Sequence, residues 1–196
     1  MASSSISFYE YSIGSYTKAL KVLLRILTKA STHPDAASLL DARLAPDMWT
    51  LAHQVQIAAA FAVALAEALV GAQLVAWNER RDSFGGDDKG WADVLARVEK
   101  ALAILAEVDP AQADSRVAGG EGLKLPMRVG SEFTFQVPAA DCVLTNGLPN
   151  VFFHVYTAYA ILRSRGVEIG KKDVLVPFLP GYVADEMARM QMAETA

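Results

Sequence analysis

His53 and His154 are the two side chains whose type and placement offer chemistry. Each lies inside a long stretch of helical periodicity, whereas His33 precedes Pro34 in a connection and has no helical partner. Imidazole exchanges a proton near neutrality, so a pair of them can serve as general acid and base or as metal ligands. At about 100° per residue, Trp49, Gln56, Ile57 and Ala60 fall within about 60° of His53. Val55 and Leu51 point to the other side, so this helix is apolar on both faces. On the last long helix, Gly147, Asn150, Thr157, Ala158 and Ile161 share the stripe of His154. Asn150 and His154 are four residues apart, a spacing that brings side chains together on one face. A buried polar group is costly unless paired, and two helices that each turn a histidine inward can meet across a bundle core. The expected catalytic set is therefore His53, His154 and Asn150, with Asn150 orienting substrate or stabilising an oxyanion. The expected substrate walls are Trp49, Gln56, Ile57, Thr157 and Tyr16. A lone histidine on an apolar face is more often a satisfied core residue, and that alternative stays open.

Other chemistries find little support. Cys142 follows Asp141 in an apolar helical context with no nearby cation to lower its pKa, so packing is its expected role. It lies about 120° off the His154 stripe and supplies no third metal ligand. Two histidines and an asparagine carbonyl are a poor donor set for zinc. Gly85-Gly86 and Gly119-Gly120 are followed by no phosphate-loop frame, and no Ser-His-Asp or HExxH pattern appears.

These residues must be held by helices. Tyr9, Ile13, Tyr16, Leu20, Leu23, Leu24 and Leu27 form one stripe of a first helix from about Ile6 to Lys29, closed before Pro34. A short turn follows over Ala36 to Leu40. A second helix is expected from about Asp47 to Val70, with Pro46 and Asp47 in its first turn and Gly71 as its stop. Asn78 to Gly90 reads as exposed connection, and a third helix as Trp91 to Val108, ended by Asp109-Pro110. The period then changes to two. Leu123, Leu125, Met127 and Val129, then Phe133, Phe135 and Val137, predict a hairpin turning at Gly130-Ser131. The fourth helix runs from about Ala139 to Arg165, with a kink at Gly147 and Pro149. A short helix is expected over Val183 to Met192. The fold class is all-α: an up-and-down four-helix bundle with a small β-hairpin before the last long helix.

Composition narrows the setting. The chain has 196 residues, 53% of them apolar, with a net charge of −4, which suits one domain with a sizeable core. The acidic balance and the lack of a helix with clustered Arg or Lys argue against a nucleic-acid partner. The single cysteine excludes an internal disulfide framework. The apolar stretch from Ile57 to Trp77 is built on alanine and carries Glu67, which favours tight packing in a bundle over a membrane span. No secretory signal is read in the polar N-terminus, so the expected location is cytoplasmic. The apolar composition also favours a homodimer.

Five segments carry a resemblance: Leu44-Ala45-Pro46-Asp47-Met48, Leu51-Ala52-His53-Gln54-Val55-Gln56, Leu148-Pro149-Asn150-Val151-Phe152-Phe153-His154-Val155, Thr157-Ala158-Tyr159-Ala160-Ile161-Leu162-Arg163, and Gly166-Val167 with Gly170-Lys171-Lys172-Asp173. Together they resemble the DUF1993 family of the DinB/YfiT-like superfamily, whose members are read as metalloenzymes. The resemblance implies one DinB-like domain over 1–196, with 176–196 as a C-terminal extension that covers the pocket or builds a dimer contact. It also implies a divalent metal (zinc, nickel or iron) on three histidines, one on the second helix and two on the last. His53 matches the first and His154 the last of these, but Asn150 stands where the other histidine belongs. A weakly held metal and a metal-free pocket are both left open. Relatives that act as thiol-dependent transferases and isomerases imply a small organic substrate and an isomerase, cyclase or transferase reaction. A non-catalytic ligand-binding or structural protein of the same fold is the alternative.

Overall fold

A computed structural model describes residues 6–75, 90–118, 122–130 and 132–194, the side chains at 184, 188 and 191–194 excepted. The expected connection over Asn78 to Lys89, both Gly-Gly pairs and Ser131 of the hairpin turn lie outside the described residues.

The N-terminal helix starts on a reciprocal cap. Ser7 Oγ accepts from the Glu10 amide at 3.2 Å, and Glu10 Oε2 accepts from the Ser7 amide at 3.2 Å. One π-helical turn, Glu10–Gly14, leads into α1, Ser15–Ser31. Its buried side chains include Tyr16, Leu20, Leu23 and Leu27 of the predicted stripe, with Ala19, Val22, Ile26 and Ala30 beside them, while Leu24 is only partly buried. After the short α2, Ala36–Leu39, the chain turns twice before α3, Leu51–Val70.

The start of α3 differs from expectation. Pro46 and Asp47 lie in a turn where the Met48 amide reaches the Ala45 carbonyl at 3.0 Å. Thr50 is the cap instead, its hydroxyl accepting from the His53 amide at 3.3 Å. A hydroxyl that can satisfy an orphan N–H outcompetes a proline that only tolerates the first turn. Gly71 ends the helix at φ +69°, as its permissive backbone predicts.

The third long helix, α4, spans Trp91–Ala106. Asp109-Pro110, read as a terminator, also starts a helix that periodicity did not reveal: α5, Pro110–Val117, where Asp109 Oδ1 accepts from the Ala111 amide at 3.0 Å. The hairpin forms over the predicted strands, with Val129 paired to Phe133, so three positions separate the strands where the expected turn had two. Strand β1, Lys124–Val129, pairs antiparallel with β2, Phe133–Pro138, in the register Leu125↔Val137 and Met127↔Phe135.

The last long helix is nearly continuous: α6, Ala139–Cys142, a π-helical turn, Val143–Gly147, and α7, Leu148–Ser164. The predicted kink is this wider turn. Pro149 donates no N–H and crowds the carbonyl four residues back, and a π turn accommodates both. Beyond Gly166 come α8, Lys171–Leu175, and α9, Gly181–Glu194. The sequence reading missed α8. Asp173 holds it to α1, with Arg25 Nε at 2.9 Å and Lys29 Nζ at 2.8 Å.

The long helices α1, α3, α4 and α7 surround one core. Each of α1 and α3 packs broadly against both α4 and α7, while α1 and α3 touch little. The diagonals of the bundle are therefore α1 with α3 and α4 with α7, while α3 and α4, consecutive in the chain, are direct neighbours. Among the described residues α3 is the one helix long and apolar enough to cross a membrane, and here it packs between α4 and α7. Its run of alanines lets those neighbours approach closely.

Candidate functional site

The two histidines meet where the first turn of α3 faces the middle of α7. Gln54, which is 2% exposed, and His154, which is 5% exposed, join through a 2.6 Å hydrogen bond between Oε1 and Nδ1. The Gln54 amide nitrogen donates to the Trp49 carbonyl at 3.3 Å. That second bond fixes the carboxamide, because a carbonyl can only accept. Gln54 Oε1 must then accept, so Nδ1 of His154 carries the proton and Nε2 is left with its lone pair. None of the hydrogen bonds among the described residues engages that Nε2.

Trp49 ties the histidines together. Its indole is half exposed, lies 4.4 Å from the His53 ring centroid, and stacks on His154 at 6.1 Å with an interplanar angle of 14°. Burial, and then the neighbouring His53, push the His154 pKa down to about 4. His154 is thus a neutral acceptor at physiological pH, while the half-buried His53 reaches solvent.

The other expected residues divide. Ile57 and Gln56 are half-buried one turn along α3, and Thr157 is buried one turn along α7. Asn150 is turned away toward the preceding turn: its amide nitrogen donates to the Asn146 carbonyl at 2.7 Å and to Asn146 Oδ1 at 2.6 Å. Those bonds hold its donors on Asn146, so they are not offered to an oxyanion beside His154. Tyr16 does not belong to this centre. It is buried on α1 and lines a separate cavity with Phe61, Cys142 and Gly147. Since α3 and α7 run antiparallel, that cavity lies about 10 Å further along both helices. His33 accepts the Asp35 amide at 3.2 Å within an exposed turn, as expected of a surface residue. Burial raises the pKa of Cys142, which a hydrogen bond with Asn146 only partly opposes, so it stays a thiol.

Gln54 was absent from the expected site, although the sequence held a signal for it. It shares the stripe of Leu51, Val55 and Ala58, the buried face of α3. A carboxamide on such a stripe requires a buried partner.

The donor set does not fit the three-histidine metal centre. No group of three or more His, Cys, Asp or Glu side chains converges among the described residues. His154 offers Nε2 and His53 its ring, but the third position holds an asparagine already bonded to Asn146. Two imidazoles leave zinc short of the ligands it requires.

Comparison with known proteins agrees with the fold. The chain is similar to a DinB family member protein from Shewanella denitrificans, whose crystal structure superposes with a TM-score of 0.66 at 28% identity, covering 85% of this chain and 90% of that one. No curated protein matches it. The family model for the domain of unknown function DUF1993 matches residues 8–175. The matched span holds every long helix, the hairpin and both histidines, and the chain belongs to the DUF1993 family with a DinB-like helical fold.

Proposed function

We propose that this protein is an enzyme that moves a proton on a small organic substrate held against Trp49, with His154 as fixed acceptor and His53 as proton exchanger. The observation that carries this reading is the Gln54–His154 hydrogen bond at 2.6 Å, which presets one tautomer and leaves Nε2 unbonded. Structural histidines commonly spend both ring nitrogens; this one keeps an acceptor beside a second imidazole and an exposed aromatic platform. With a pKa near 4, His154 stays neutral and accepts a hydrogen bond from a substrate hydroxyl, thiol or enol, orienting it. His53 takes up or returns the proton and exchanges it with solvent. Proton removal at one atom and return at another is isomerisation; removal from a thiol or hydroxyl ahead of its attack is transfer or cyclisation. No step needs a metal, in keeping with the incomplete donor set.

The test is a turnover screen of the purified protein, with and without chelator, against small carbonyl, enol and thiol compounds followed by NMR. On any substrate found, H53A and H154A are each expected to lower kcat/KM by about 100-fold or more, the usual worth of a positioned acid or base. Full activity in both variants sinks the proposal.

A further inference from the structure

The cavity beside Tyr16 has the properties of a second binding site. It is a partly open space of about 190 Å³ between α3, the hairpin and the π-helical turn before α7. Phe61, Leu65 and Ala68 form one wall, and Leu125 and Pro126 of β1 close over it. Among the described residues, no charged side chain lines it. An apolar cavity of about 150 Å³ accepts benzene, so this space suits a single ring with a short substituent.

Its polar groups are unevenly paired. Asn146 accepts from Asn150 at 2.6 Å and also bonds the Cys142 thiol. The Tyr16 hydroxyl, on a side chain only 1% exposed, takes part in none of the hydrogen bonds among the described residues. A phenol oxygen at the wall of an apolar cavity, paired with no group among the described residues, is a donor available to whatever occupies that cavity. The backbone is shaped around this phenol. A Cβ at Gly147 would clash with its oxygen, and the turn that ends at Gly147 is π-helical, a form frequent at functional sites.

We infer that the cavity binds a small, neutral, largely apolar molecule bearing one oxygen acceptor, which receives the hydrogen bond of Tyr16. The site is independent of the histidine centre and stands whether or not that centre is catalytic. Burial holds the phenol neutral, and the thiol likewise, so an ionic ligand would find no countercharge.

Acetophenone serves as probe and ethylbenzene, similar in shape but without the oxygen, as control, each titrated into the 15N-labelled full chain. Both are expected to shift amides at 61–68 and 142–147 saturably, acetophenone the more tightly. Tyr16→Phe, which keeps the ring, is expected to weaken acetophenone at least 5-fold and leave ethylbenzene unchanged. Ala64→Phe, at an exposed position on the rim, is expected to abolish both without affecting the fold. His154→Gln is expected to bind both probes as the unmodified chain does, which separates this test from that of the histidine centre. Absence of saturable shifts with either probe, or equal affinities that Tyr16→Phe leaves unaltered, overturns the inference.

Discussion

A carboxamide can hold an imidazole in one tautomer without lending it charge, and that is the arrangement of Gln54 and His154. A carboxylate in the same place would favour the imidazolium. Gln54→Glu keeps the shape and the 2.6 Å geometry, and it adds an opposite charge to a site where burial and His53 hold the pKa near 4. The His154 pKa is therefore expected to rise to about 5–7, since an adjacent opposite charge within hydrogen-bond reach is worth about one to three units. A 15N-resolved NMR titration of the ring nitrogens measures it; a value that stays near 4 shows that the Gln54 contact does not govern the ring. At this scale the sequence was half legible. Helical periodicity placed His53, Trp49 and His154 on surfaces that meet. It did not place Gln54, because a wheel centred on His53 discounts a neighbour about 100° away, although that neighbour lies on the stripe that α3 buries. Nor did it show that Asn150 turns toward Asn146, because a four-residue spacing serves a partner on either side equally.

Among elements, the π-helical turn at Val143–Gly147 is where backbone and side chain constrain one another most tightly. Tyr16 reaches across from α1, and its oxygen occupies the space that any side chain at 147 would need. The Tyr16 ring is buried in the core, so its oxygen can move off only if the ring repacks. Gly147→Ala is expected to destabilise the protein by about 1–3 kcal/mol, the usual cost of overpacking. Tyr16→Phe in the same chain removes the clashing atom. The alanine then shows its helix propensity, worth up to about 1 kcal/mol over glycine, and the double variant is more stable than the sum of the singles. Urea denaturation of the four proteins measures this coupling; strict additivity refutes the contact. The sequence foretold an interruption here from Gly147 and Pro149, but not its form, since the partner that shapes it lies on another helix. The start of α3 was misplaced for a related reason: Pro46-Asp47 and Thr50 both suit a first turn, and a hydrogen bond decides between them. Helix α5 stayed hidden because eight residues give too few turns for a stripe to show.

Across the whole molecule, two buried titratable groups make stability depend on pH in the same direction. His154 has a folded pKa of about 4 against an ordinary 6.5. Between those values the unfolded chain binds more protons, so stability rises with pH, is complete above 6.5 and is lost as pH falls toward 4. At about 1.36 kcal/mol per unit, the loss is about 3 kcal/mol. For Asp173, burial alone would raise the pKa, but Lys29, the Gly170 amide at 2.9 Å and Arg25 outweigh it and hold the carboxyl at about 2 against an ordinary 3.8. Its contribution, about 2 kcal/mol, is complete above 3.8 and lost as pH falls toward 2. Acid should therefore weaken the bundle in two stages, first where α3 meets α7 and then where α8 is tied to α1. Urea unfolding at pH 7, 5 and 3 resolves them. His154→Gln is expected to flatten the change between pH 7 and 5 and to lessen, without removing, the later fall. Asp173→Asn is expected to start less stable, keep the first stage and lessen the second. Stability that rises as the unmodified chain is taken from pH 7 to 5 would mean that His154 gains its proton more readily folded than unfolded. The neutral acceptor assigned to it at the histidine centre would then be lost as well.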